Sequence, residues 1–164
     1  MEVLENIEAL ARIGAGEIES LTRAATDATF YGIPLTEEQI AANRRPTAIS
    51  TEQCNDAARS ADRYFAAAFL DGRFAGYVIS TCHAPDSREL DWLMVHPDFH
   101  GTPISAALMD AGMTWLGCDK PMWLNVLQHN RRAIHFYERF GFVIDPDART
   151  AHLVPHYIMR RAAA

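Results

Sequence analysis

The dipeptide Asp71-Gly72 constrains the fold more than any other feature of the chain. It separates two strand-like runs, RYFAAAFL (63–70) and RFAGYVIST (73–81). A two-residue Asp-Gly link accommodates the positive φ angles that a tight hairpin requires, so the runs read as adjacent antiparallel strands. Pro85 and Asp86 mark a turn over 83–88, and the apolar run Leu90–Val95 adds a third strand to the meander.

The flanking segments are helical or mixed. Ile18, Leu21, Ala24 and Ala25 give helical spacing within 15–27. Thr36, followed by Glu37 and Glu38, caps a second helix. Pro46 and Ser50 suggest a loop and then a separate helix capped by Ser50 or Thr51, while Met1–Arg12 reads as more helical than extended. Downstream of the meander, Ile104, Leu108, Ala111 and Trp115 mark a helix over 103–116, and Met122–Val126 is a short strand. Asn130 caps a further helix that stops at Gly141. Residues 142–144 and 152–159 close the chain as strands, with Pro155 placing the last at an edge or a bulge. The order predicts one mixed α/β (α+β) domain over 1–164, a mostly antiparallel central sheet flanked by helices, with a helical region at 1–62 and a core at 63–164.

Composition narrows the partners. A net charge of −6 argues against nucleic acid, whose phosphates call for a basic surface. No stretch approaches the roughly 20 apolar residues that span a bilayer, and the acidic N-terminus does not resemble a secretory signal. Cys54, Cys82 and Cys118 are odd in number and widely spaced, which predicts reduced thiols in a cytoplasmic setting. His96 with His100, and His152 with His156, lack an evident third ligand, so no metal is expected.

The chemistry concentrates in two segments. ELDWLMVHPDFHGTPISAALM (89–109) runs from a strand through a tight loop into a helix. Backbone N–H groups and the positive end of a helix converge above such a loop, a seat for a pyrophosphate. MWLNVLQHNRRAIHFYERFGF (122–142) is a strand, an Asn cap, a helix carrying Tyr137, and Gly-Phe. Together they resemble the GNAT superfamily of acetyltransferases. That family's later motif, Val-x-x-x-Asn-x-x-Ala-x-x-Phe-Tyr-x-x-x-Gly-Phe, is matched at Val126, Asn130, Ala133, Phe136, Tyr137, Gly141 and Phe142. Its earlier motif, Gln/Arg-x-x-Gly-x-Gly/Ala, is matched in position but not in composition: His100, Pro103 and Ser105 occupy the defining places. The resemblance covers roughly 64–160, and 1–62 corresponds to the family's variable acceptor-side region.

The resemblance implies an acetyl-CoA-dependent N-acetyltransferase in which a small-molecule or peptide amine attacks the thioester directly in a ternary complex; it is also compatible with a homodimer. It implies that the pantetheine arm lies between two splayed parallel strands, Leu90–Val95 and Met122–Val126, paired with the backbone of Met94 and Val95, and that the N–H near Val95 polarises the thioester carbonyl. His100, Gly101, Thr102, Pro103, Ile104 and Ser105 then hold the pyrophosphate, Asn130 and Ala133 line the arm, and Tyr137 protonates the leaving thiolate. Glu89 and Asp91, two apart on one strand face, are the candidates for the base that deprotonates the amine, Asp91 being nearer the expected reaction centre. Pro103 removes one N–H from the loop. A lost hydrogen bond to a charged group costs roughly 1.5–3 kcal/mol, about 10- to 150-fold in affinity. A catalytically silent binding or regulatory module with a weakened CoA site is therefore the alternative.

Overall fold

The computed structural model describes residues 1–164. Its architecture grows from the Asp71-Gly72 turn, where φ is +52 at Asp71 and +77 at Gly72. Two consecutive positive φ angles match the twist of a two-residue hairpin. They join β2 (Arg63–Leu70) to β3 (Arg73–Ala84), with Leu70 opposite Arg73. The alanines of β2 explain its central position. Ala66 and Ala68 meet the helix layer on one face and Ala67 the layer on the other, so small side chains let helices approach both faces.

β4 (Ser87–Val95) continues the meander against β3. A 3₁₀ turn, Pro97–Phe99, leads into α4 (Ile104–Leu116), which crosses to β5 (Met122–Leu127), parallel to β4. α5 (Arg131–Glu138) follows, then the two-residue β6 (Val143–Ile144) and β7 (His156–Arg161). The seven strands lie in the order β1-β2-β3-β4-β5-β7-β6. Residues of α4 and α5 pack on one face, and α1, α2 and α3 cover the β1–β4 part of the other.

The structure departs from the sequence reading in four places. Residues Glu2–Glu5 form β1, paired antiparallel to β2, before α1 (Asn6–Arg12) begins. Pairing with the otherwise open edge of β2 satisfies its backbone groups and overrides the local helical preference. The expected loop and second helix over 44–62 are one helix, α3 (Glu37–Arg59), started by a Thr36–Gln39 capping box. Pro46 cannot donate to the carbonyl of Ala42. Ala42 is exposed, so that carbonyl is left to solvent, while Thr47, Ser50, Cys54 and Ala57 form the buried stripe of the helix beyond it. The β3–β4 turn is tighter than 83–88: Ala84 already pairs with Ser87, so His83 and Arg88 belong to strands. Finally, Pro155 precedes β7, and β7 lies inside the sheet, with β6 at the edge.

α2 (Glu17–Phe30) is pinned to β3 by a buried 2.7 Å hydrogen bond between Thr22 Oγ1 and the Tyr77 hydroxyl. Gly76 of β3, opposite Val95, sets the closeness of β3 to the end of β4. A Cβ there would lie 2.6 Å from the carbonyl oxygen of Met94 and 3.2 Å from the Cα of Val95. Backbone cannot yield as a side chain would. Gly76→Ala is expected to destabilise the fold by about 1–3 kcal/mol and to lower Tm by roughly 3–10 °C, measurable by thermal unfolding.

Candidate functional site

β4 and β5 are paired at a single register position, Glu89 with Trp123. Beyond it the two strands form no further register pair, which leaves a slit between the Val95 end of β4 and the Leu127 end of β5. The α4 side of this slit is closed by apolar packing: Leu90 and Val95 from β4, Leu124 and Val126 from β5, and Ile104 and Leu108 from α4 share one core. A β-bulge shapes the rim. Ile79 pairs with Trp92 and Ser80 with Leu90, which leaves Asp91 as the extra residue. The bulge reverses the alternation, so that Leu93 and Val95 pack with α4 while Trp92 and Met94 turn to the opposite face.

The loop after β4 carries free donors. The N–H of His100 bonds to Pro97 and that of Thr102 to Phe99. Gly101 adopts φ +79, and the first backbone bond of α4 runs from Ala107 to Pro103. The N–H groups of Gly101, Ser105 and Ala106 therefore have no backbone partner, and that of Ile104 has only a long 3.4 Å contact with Thr102 Oγ1. Pro103 sits at the helix N-cap in helical conformation. The sequence reading named Gly101, Thr102, Ile104 and Ser105 as donors; here Thr102 is engaged and Ala106 is an addition. Arg132, at the start of α5, reaches over to His100 with Nη1 3.0 Å from Nδ1. Burial and that guanidinium hold His100 below the usual imidazole range, so the ring is the acceptor.

Four polar groups gather where β4 and β5 still touch. Glu89 is buried, its side chain 9% exposed, with Oε2 2.7 Å from Nε2 of a 45% exposed His83. Its other oxygen, Oε1, accepts from Asn125 Nδ2 of β5 at 3.4 Å, and Asn125 Oδ1 is buried without a partner. Burial first, and the neighbouring Asp91 second, raise the Glu89 pKa, with His83 opposing. Asp91 shares this face but is committed elsewhere. It accepts from Thr81 Oγ1 at 2.9 Å and faces Arg63 at 3.6 Å, and Arg63 is held in turn by Gln53 of α3.

On the far side of the slit, Asn130 caps α5: its Oδ1 accepts from the Ala133 N–H at 3.1 Å. Only its Nδ2 is left to donate outward. Tyr137 lies about two turns further along α5, edge-on to Phe136 and Phe142. Burial alone pushes its phenol up to about 12, so it stays protonated throughout the neutral range. His83, Asn125, Ala106 and Arg132 were not singled out from sequence as site residues. A turn reading of 83–88 hid His83, and only the register of β5 against β4 brings Asn125 to Glu89. No three His, Cys, Asp or Glu side chains are grouped as metal ligands, and no helix is long and apolar enough to cross a membrane.

Residues 26–142 match the acetyltransferase (GNAT) family. An uncharacterized N-acetyltransferase of Mycobacterium tuberculosis and its counterpart in Mycobacterium bovis are 37% identical over 91 residues, 53% of this chain and 56% of theirs. The chain thus spans about half the length of the curated relatives it matches. The crystal structure of PaiA N-acetyltransferase from Thermoplasma acidophilum, in complex with coenzyme A, superimposes with a TM-score of 0.74 at 20% identity over 99% of both chains. A GCN5-related N-acetyltransferase of Rhodopseudomonas palustris does so at 0.68 and 18%, over 98% of this chain and 94% of that one. At these identities the likeness is one of fold.

The Glu89 environment has a consequence for stability. A carboxyl whose pKa is raised on folding holds its proton longer in the native state than in the unfolded chain. Its contribution is therefore lost as pH rises from the ordinary value of 4.5 through the raised one. Urea unfolding of wild type and Glu89→Gln across that window is expected to show wild type losing stability relative to the variant as pH increases.

Proposed function

The chain belongs to the GNAT acetyltransferase family, and from that premise we propose that it transfers an acetyl group from acetyl-CoA to a primary amine of a small molecule or peptide, by direct attack in a ternary complex. One observation carries the reading: the slit between β4 and β5 opens onto a loop whose N–H groups at Gly101, Ser105 and Ala106 have no backbone partner. An extended arm with amides pairs with strand edges, and a diphosphate takes helix N-terminal donors. The residues present thus fit the cofactor. When bound, acetyl-CoA supplies an acyl group activated as a thioester.

The protein's part divides among four places. Met94 and Val95 offer backbone groups to the arm and an N–H toward the carbonyl oxygen, where negative charge gathers. Gly101, Ser105 and Ala106 hold the phosphates, with Arg132 adding a cation beside His100. Asn130 donates through Nδ2. Tyr137, kept neutral by burial, gives its proton to the departing sulfur.

The amine arrives as an ammonium, since an alkylamine titrates near 10.4. Glu89 is the carboxylate best suited to take its proton. Its raised pKa brings it toward neutrality, whereas Asp91 is already bonded to Thr81 and paired with Arg63. The second acceptor beside it, Asn125 Oδ1, is open to a further N–H.

Calorimetric titration with acetyl-CoA is expected to give micromolar binding, followed by CoA release with at least one of butylamine, putrescine, benzylamine or glycinamide. Tyr137→Phe should retain that affinity and lower kcat by about 10²-fold. Absence of binding at millimolar acetyl-CoA would sink the enzyme reading. Weak binding that Pro103→Gly restores, without turnover, would favour the silent module.

A further inference from the structure

We propose that His83 is the proton exit of the acetyl-transfer site, relaying to solvent the proton that Glu89 removes from the amine. The proposal rests on the acetyltransferase reading and deepens it.

Stoichiometry sets the requirement. An ammonium substrate and a thioester give an amide and a thiol: the C–N bond forms, the C–S bond breaks, and nitrogen loses two protons. Tyr137 gives its proton to the thiol sulfur, and one of the two protons from nitrogen replaces it on the phenol. The other must leave the protein in every turnover. Glu89 receives it but cannot release it directly, because its side chain is only 9% exposed. Until that proton departs, the carboxyl cannot act again.

The structure places one titratable outlet on Glu89. Its two oxygens have different neighbours: Oε1 faces Asn125 across the slit, and Oε2 faces His83 Nε2 at 2.7 Å. A proton collected on the slit side, at Oε1, is delivered when the carboxyl turns about its Cγ–Cδ bond and brings that oxygen to His83 Nε2. Asp91, the other acid on this face, is occupied by Arg63 and Thr81 and has no contact with His83. His83 is 45% exposed, and imidazole alone among side chains normally changes charge near neutral pH. It accepts at Nε2 while releasing from Nδ1, then regains the starting tautomer by turning over or by exchange with water.

The ring is also oriented. It stacks on Trp123 with centroids 5.9 Å apart and planes 23° from parallel, and the indole is itself fixed by a 3.3 Å bond from Nε1 to Ser87 Oγ. Trp123 is the residue that pairs with Glu89 at the one β4–β5 bridge. That bridge therefore sets the platform beside the carboxyl, and the platform orients the imidazole. His83 acts through Glu89 without touching substrate, so it is a positioning and relay residue.

The test measures CoA release at saturating acetyl-CoA with whichever of butylamine, putrescine, benzylamine or glycinamide the wild type turns over fastest, in dilute buffer that carries protons poorly. His83→Ala is expected to lower kcat roughly tenfold with little change in KM, and rising imidazole concentration should restore it. His83→Gln can still donate to Oε2 but cannot relay, and should show the same loss and the same rescue. Glu89→Gln should be slow and indifferent to imidazole. Unchanged kcat in both His83 variants, or a loss that imidazole does not relieve, overturns the relay while leaving the acetyltransferase reading intact. Rescue of Glu89→Gln by imidazole also overturns it, since the added base would then be acting on the amine itself. Absence of turnover by wild type with all four amines defeats the acetyltransferase reading and the relay together.

Discussion

One backbone bridge, Glu89 to Trp123, holds β4 and β5 together, and the rest of the molecule is arranged so that it can be the only one. Parallel neighbours that separate forgo ladder hydrogen bonds, each worth about 1 kcal/mol net. The sheet tolerates this because each half is braced by itself. The β1-β2-β3-β4 side is a continuous antiparallel meander, and the other side pairs β5 with β7 along all of Met122–Leu127. α4 then spans the gap from below, with Ile104, Leu108, Met113 and Leu116 in the same core as residues of both halves. The opening is thus a fixed slit with an apolar floor, not a frayed edge.

That bridge also locates the proposed acid–base chemistry. At the closed end of the slit, a carboxylate is shielded from water yet within reach of whatever lies between the strands. Shielding raises the Glu89 pKa, and a charge buried there needs hydrogen-bond partners. His83 and Asn125 supply them from the strands on either side of β4. The bulge at Asp91 separates this polar cluster from the apolar side chains further along β4. Without it, Leu93 and Val95 would turn toward the opposite face of the sheet and leave the core they share with α4.

Features built on local backbone chemistry were legible in the sequence. Asp71-Gly72 demanded positive φ at both residues, Thr36 and Asn130 offered capping oxygens, and Gly141 allowed the left-handed φ of +88 after α5. Features decided by distant partners were not. β1 exists because β2 presents an edge, α3 survives Pro46 because its buried stripe lies after it, from Thr47 onward, and His83 joins a strand because Ala84 meets Ser87. The proposed site divides along the same line. Asn130 and Tyr137 sit in a spaced motif, whereas His83, Asn125 and Arg132 gain their neighbours only from register and helix placement.

The composition of the loop before α4, His-Gly-Thr-Pro-Ile-Ser, suits the phosphate site proposed there. The first turn of any helix leaves N–H groups without intrahelical partners. Pro103 occupies the N-cap, where its fixed φ of −67 suits the turn. The donors that follow it at Ser105 and Ala106 remain open, and the flexible Gly101 contributes another. What proline subtracts is one donor at the rim of a set, not the set itself. His100 in the Gln/Arg position does something different from a cationic side chain. Held neutral, it accepts from Arg132 and so draws a guanidinium from α5 to the loop. The positive charge that the family pattern can carry on the loop is thereby supplied from across the slit, beside Asn130 and on the helix that bears Tyr137. The proposed phosphate binding and the placement of the proposed acid then depend on the same short helix.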